Sequence, residues 1–166
     1  TDNVTIAMPD TLSPPGTQLC IPINVQGFDI VGASFSLVWD PTVLQYTGVQ
    51  NPHPAIGTFN AGNLNTQNTQ LGQLGTIIYD QDNIGATISI PSGETLLEVC
   101  FNVIGPLDSC SVLTLTNAPS QINIEDPNGA TLALTVDNGQ ACVGFLPFDI
   151  LSEVVDVTCN GTASIQ

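Results

Sequence analysis

An antiparallel all-β sandwich is the fold class the sequence predicts, and three observations carry it. Short alternating or β-branched runs recur between turn signals from one end of the chain to the other. Almost nothing between them reads as helix, and that spacing of short strands is the pattern of a sandwich rather than of alternating strand and helix. At 166 residues the chain is long enough for one domain with a packed core.

The elements follow in order. "NVTIAM" opens the series, and in "QLCIPINVQG" Ile21, Ile23 and Val25 share one face while Cys20 takes the other. "GASFSLVWD" sets Phe35, Leu37 and Trp39 toward the core and turns Ser34, Ser36 and Val38 outward. After "TVLQYTGVQ", residues 51–75 are rich in Asn, Gln, Gly and Pro and read as one long polar loop crossing between sheets. Strands of the same character resume with "GTIIYD" and "ATISI", so the loop is not an interdomain linker. In "TLLEVCFNVIG" Leu97, Val99, Phe101 and Val103 share a face and Cys100 lies opposite. "SVLTLTNAP", "ATLALTVDNG" and "QACVGF" complete residues 1–143 as a single sandwich. Residues 144–166 form a strand-like extension in which Val155, Val157 and Cys159 alternate against Val154, Asp156 and Thr158. Such a strand seeks a sheet, so the extension reads as a junction to a next module or a neighbouring subunit.

Charge narrows the partners. The chain has no Lys or Arg and 15 acidic residues, a formal net charge of -15, yet only 9% of its residues are charged, against roughly 25% in an average domain. The polar surface is therefore built from Thr, Asn, Gln and Ser. Nucleic acid and anionic membrane surfaces both require cations the chain lacks. Divalent cations would be natural counter-ions. The sequence begins at Thr1 without a Met or a basic, apolar leader, which reads as a mature or excised segment whose export signal lies elsewhere. No run approaches ~18 apolar residues, so no membrane insertion is expected.

The five cysteines form no Cys-x-x-Cys pair and have no neighbouring His, which favours disulfides in an oxidising, extracellular setting over zinc or redox chemistry. Cys20 and Cys100 both point away from the core. If their strands are neighbours they bridge across the sheet and close a loop about 80 residues long, for a gain on the order of 4 kcal/mol. Cys110 lies off the Leu113 and Leu115 face and Cys142 off the Ala141 and Val143 face, which makes them the second pair, although four cysteines allow three connectivities. Cys159 is then surplus to the sandwich and available to a partner outside it.

Several stretches together carry a family likeness. "VTIAMPDTLSPPGTQLCIPINVQG", "IVGASFSLVWDPTVLQYTGV", "GETLLEVCFNVIG" and "INIEDPNGATLALTVDNGQACV" resemble a cohesin domain over residues 3–143. Its most specific element here is Trp39-Asp40-Pro41-Thr42-Val43-Leu44, joined by the late Phe-x-Val strand and a closing turn at Asp137 to Gly139. The resemblance implies a nine-stranded jelly-roll sandwich and a dockerin-like partner. The cysteines resemble instead the cohesin-like modules of large surface proteins of gliding bacteria, and "VVDVTCNGTASI" is similar to the opening strand of the tandem repeats in gliding-motility adhesins. That second likeness implies a long, repetitive protein exported to a bacterial cell surface.

Catalytic chemistry is hard to assemble, and no catalytic residue is assigned. His53, the only histidine, sits between two prolines and reads as part of a rigid surface loop. Glu94 and Glu98 stand roughly 13 Å apart along a strand, too far for paired glycosidase carboxylates. Asp80, Asp82 and Asn83 in "YDQDNIG" present oxygen ligands that would suit Ca²⁺, as do Glu125, Asp126 and Asn128, and both stretches also read as turns. Asn3 and Asn160 begin N-glycosylation sequons, and Asp10-Thr11-Leu12 resembles an O-glycosylation signal at Thr11. The sequence reading is therefore a non-enzymatic structural or adhesive module of a surface fibre or long adhesin. Its neighbouring copies would join through terminal strands at Val155, Val157 and Cys159. The alternative is a protein-binding module that meets a dockerin-like partner through Ser34, Ser36 and Val38. A carbohydrate-binding sandwich would need exposed aromatic side chains, and Trp39 is expected inside.

Overall fold

The computed structural model describes residues 3–146; Val155, Val157, Cys159 and the sequon at Asn160 lie outside them. Fourteen strands form among the described residues. They are β1 (Asn3–Ala7), β2 (Thr11–Ser13), β3 (Gln18–Gln26), β4 (Phe28–Ile30), β5 (Gly32–Val38), β6 (Leu44–Gln50) and β7 (Leu64–Asn65), followed by β8 (Gln73–Tyr79), β9 (Ile88–Ile90), β10 (Thr95–Val103), β11 (Cys110–Thr116), β12 (Asn123–Glu125), β13 (Ala133–Asp137) and β14 (Gly139–Val143). Nine of them run five residues or longer, and the other five are pieces of two or three residues. The total therefore exceeds the nine strands expected, because β1–β2 and β13–β14 each break where the chain changes sheets and loops contribute short pairings. Three short 3₁₀ turns are the only helical pieces among the described residues.

Two sheets make the sandwich. One has the order β13-β1-β3-β10-β6; the other runs β2-β14-β11-β5-β8-β7, with β12 also paired to β5. Period-two alternation explains which side of each strand is buried: in β3, Ile21, Ile23 and Val25 are fully buried, and in β5, Ala33, Phe35 and Leu37 face the same interior. A bulge between Thr95 and Leu97 interrupts that alternation in β10, so Leu96 and Leu97 are both buried. The small β4-β9 ribbon adds Phe28, Ile30, Ile88 and Ile90 to the core.

Both ends of the described chain change sheets together. β1 pairs in parallel with β13 in the first sheet, and their continuations β2 and β14 pair in parallel in the second. At the crossing Met8 N–H donates to the Asp137 carbonyl. A Cβ on Gly139 would stand 2.6 Å from the Pro9 carbonyl oxygen and 2.8 Å from that of Met8. Only glycine permits two backbones to pass so closely. The segment expected to be a closing turn at Asp137 to Gly139 is thus a passage from one sheet to the other, since the chain runs on in β14 rather than reversing.

The Trp-Asp-Pro segment is the corner between β5 and β6. Asp40 Oδ1 accepts from the Thr42 N–H at 2.8 Å and from the Thr42 hydroxyl at 2.6 Å, which closes an Asx turn over Pro41. The Thr42 hydroxyl, and then its N–H, hold the Asp40 carboxyl below the usual range. Trp39 is 3% exposed; its indole N–H donates to the Leu44 carbonyl at 3.0 Å and its ring meets Phe101 edge-on at 5.0 Å. Residues 51–72 then cross to the second sheet as expected, but β8 already begins at Gln73 and β7 lies within the crossing, paired to β8.

Both disulfides among the described residues form. Cys20 pairs with Cys100 in register across β3 and β10, and Cys110 with Cys142 across β11 and β14. Each bridge lies on the outer side of its sheet, because each cysteine alternates with core residues. With sequence separations of 80 and 32 residues, the chain-entropy model assigns them about 4.5 and about 3.7 kcal/mol.

Candidate partner-binding face

The outer face of the β14-β11-β5-β8 sheet is the broadest surface on which the sequence placed a partner. Its residues follow from register: Ser34 stands opposite Ile77, Ser36 opposite Gly75, Val38 opposite Gln73 and Thr114 opposite Val38. Apolar groups are exposed at Ile77 on β8 (46%) and Val112 on β11 (54%), amid neutral polar side chains and beside the Cys110–Cys142 bridge. Between β12 and β8 the face dips into a shallow basin of about 190 Å³ edged by Ser34, Ile77, Tyr79, Asn123 and Glu125.

Part of this face is covered by the chain itself. β11 and β12 follow one another along the same edge of β5, and the loop between them folds over the strand. The Ser36 hydroxyl donates to the Ser120 carbonyl at 2.8 Å and accepts from the Ser120 N–H at 2.7 Å, while the Ser34 hydroxyl donates to the Gln121 carbonyl at 2.6 Å. A Cβ on Gly75 would meet the Ser120 side chain at 2.3 Å, so the loop rests directly on this glycine. Ser36 is consequently fully buried, which corrects the expectation that it faces a partner; Ser34 and Val38 remain half-exposed. The missed signal is the pair of Gly75 and the "NAPSQ" loop, whose contact depends on long-range pairing that alternation within one strand does not report.

The candidate metal ligands are occupied by the chain. Asp80 Oδ1 accepts the N–H groups of Asp82 and Asn83, and Asp82 accepts both the N–H and the hydroxyl of Thr58. The two carboxylates close around Gly57, where a Cβ would meet Asp80 Oδ1 at 2.7 Å. They serve as acceptors that tie the turn after β8 to the 51–72 crossing. Asn83 is held through its backbone N–H, and no cluster of three metal-binding groups occurs among the described residues. Asp126 is similar: the Ala130 N–H, foremost, holds its carboxyl below the usual range, with Asn128 adding to the effect in a tight turn.

His53 caps a 3₁₀ turn. Its Nδ1 accepts the Ala55 N–H at 3.1 Å, leaving Nε2 to meet Glu94 at 2.8 Å. Glu98 instead accepts from the side chains of Gln50 and Asn51. Neither carboxylate faces the other, and the histidine is committed to fixing a loop. Thr11 needs a correction: its hydroxyl is buried inside β2, because Leu12 takes the outward position, so it offers no room for a glycan. Asn3 is exposed and hydrogen-bonded to Thr135 on the parallel strand β13.

No family model matches the chain, and no curated protein matches it in sequence. Solved structures do. The sixth cohesin of scaffoldin B from Acetivibrio cellulolyticus, solved in complex with a Cel5 dockerin mutant, is 19% identical with a TM-score of 0.69, covering 86% of this chain and 99% of that one. The OlpA cohesin from Clostridium thermocellum, solved with the dockerin Doc918, is 11% identical with a TM-score of 0.69 over 86% and 99%. A non-cellulosomal cohesin from the archaeon Archaeoglobus fulgidus is 18% identical with a TM-score of 0.67 over 92% and 99%. With its two sheets, and β1–β2 and β13–β14 crossing between them side by side, the chain has the cohesin fold.

Proposed function

We propose that this chain is a non-catalytic protein-binding module that receives a dockerin-like helical partner on the outer face of β14-β11-β5-β8. The observation that carries the reading is that face itself: a sheet side with Ile77 and Val112 exposed, on a fold shared with the scaffoldin B and OlpA cohesins, both solved in complex with dockerins. Ser34 and Val38 stand within it, and His53, the only histidine, is held by Ala55 and Glu94. The two disulfides support an extracellular setting, and no helix among the described residues is long and apolar enough to cross a membrane. The test is capture of calcium-loaded dockerin modules by the immobilised chain. Ile77→Asp should abolish capture with an unchanged melting temperature; undiminished capture refutes the assigned face.

A second reading, the surface fibre, is favoured by three exposed apolar side chains, Leu12 on the short edge strand β2 and Phe145 and Leu146 just after β14. In that reading the residues beyond 146 pair with a neighbouring copy and Cys159 links to it. Deleting residues 147–166 should then convert assemblies to monomers. Polymers that survive the deletion, or a quantitative free thiol at Cys159 within them, exclude it.

A further inference from the structure

A second surface lies on the opposite flank of the sandwich. β6 is the last strand of its sheet: β10 pairs with one edge, and no strand among the described residues pairs with the other. Its sequence "LQYTGVQ" contains no charge and no proline, two of the devices that usually protect an open edge; a bulge at Thr47 remains, and the Thr69–Leu71 turn packs against the strand near Leu44 to Tyr46. Along this edge runs a cavity of about 420 Å³ lined by Tyr46, Val49, Pro52, Phe59, Ala61 and Leu64. A cavity of roughly 150 Å³ already accepts benzene, so this one admits a large side chain together with its neighbours.

The far wall is built rather than loose. Asn63, 1% exposed, donates to the Ile77 carbonyl at 2.9 Å and accepts both the Asn60 N–H at 3.0 Å and the Gln81 side chain at 2.6 Å. The segment from Phe59 to Thr66 is thereby pinned to β8, and the groove exists without a ligand. Desolvation in this flank raises the Tyr46 hydroxyl above its ordinary pKa, as a half-buried phenol should respond.

We propose that this groove binds an extended, cation-bearing segment of a partner polypeptide, added as a strand to β6 with branched or aromatic side chains in the cavity. An unpaired strand edge offers backbone donors and acceptors that a small apolar ligand would leave unused, whereas an extended peptide satisfies them while its alternate side chains fill the pocket. Charge selects the occupant. The chain carries 15 acidic residues and no Lys or Arg, and the Glu98 carboxylate stands beside Gln50 and Asn51 at the end of β6. A second copy brings the same charge and is repelled; Lys or Arg next to the inserted residues is attracted. The site is separate from the outer face of β5 and β8, so the two can be tested independently.

The test selects a phage-displayed random dodecapeptide library on the full-length chain, then maps each enriched peptide by amide chemical shifts. The expected outcome is enrichment of sequences with Lys or Arg beside branched or aromatic residues. Their shifts should fall on residues 45–50 and 59–66. Ala61→Trp, which fills the cavity from an exposed position, should weaken binding at least tenfold without lowering the melting temperature, and Thr66→Trp should do the same from the groove rim. Ile77→Asp should bind the peptides unchanged. Absence of enrichment, shifts confined to β5 and β8, equal binding by both tryptophan variants, or preference for acidic peptides such as a synthetic 147–166 segment would each overturn the proposal.

Discussion

Replacing Gly72 by Ala probes the corner on which the Trp-Asp-Pro segment depends. Gly72 has φ of 75°, and its carbonyl accepts the Trp39 N–H at 3.0 Å. A Cβ there would lie 2.2 Å from the Trp39 carbonyl oxygen and 2.9 Å from Pro41 Cδ. Two costs arise: the left-handed backbone costs an alanine about 1–2 kcal/mol, and forcing backbone apart at a packed corner costs about 1–3 kcal/mol more. Gly129 supplies the control, because its φ is 81° but nothing stands within 4 Å of its added Cβ. Gly129→Ala should therefore show the backbone cost alone, and Gly72→Ala both, for a total of about 2–5 kcal/mol. At roughly 2–4 °C per kcal/mol for a domain of this size, Gly72→Ala should melt about 10 °C below the parent and Gly129→Ala only a few degrees below. Urea denaturation with matched slopes measures the difference. Equal losses in the two variants would refute the claim that the β8 entrance presses on the corner.

Other perturbations follow from the same geometry. Cys20→Ala with Cys100→Ala should cost about 4.5 kcal/mol and Cys110→Ala with Cys142→Ala about 3.7 kcal/mol in the chain-entropy model, and a reversed order in denaturant titration would show that loop length does not govern them. Asp40 and Asp126 have lowered carboxyl pKa values in the folded chain, so their stabilisation is present above the ordinary Asp pKa of about 3.9 and is lost as pH falls through the lower folded value. Asp126→Asn should thus narrow the gap to the parent only in acid; a gap independent of pH from 7 to 2 would contradict the turn's charge-assisted bonds. Adding Ca²⁺ should leave the melting temperature unmoved, since Asp80 and Asp82 are satisfied by backbone and Thr58; a rise that disappears in Asp82→Asn would establish a cation there.

Much of this architecture is written in local alternation. The faces of "CIPINV" and "LLEVCFNV" place Cys20 and Cys100 correctly because a period of two is a property of each strand by itself. What alternation cannot report is what lies above a strand. Ser36 has the parity of an outward residue, yet the loop through Ser120 covers it, and Thr11 carries a plausible modification signal whose hydroxyl the strand turns inward. The Asp137 to Gly139 segment has turn chemistry, but the parallel neighbour at Met8 and Pro9 converts it into a sheet crossing. The β6 groove was not legible at all, since it joins an edge strand to a crossing segment pinned by Asn63.

The most direct test of the central claim is amide hydrogen exchange of the chain alone and saturated with a captured dockerin-like partner. The account predicts added protection in Ser34–Val38, Gln73–Tyr79 and Val112–Thr116, with the β3 and β10 strands unchanged. Protection confined to the β13-β1-β3-β10-β6 sheet, with none on β5 or β8, would contradict it.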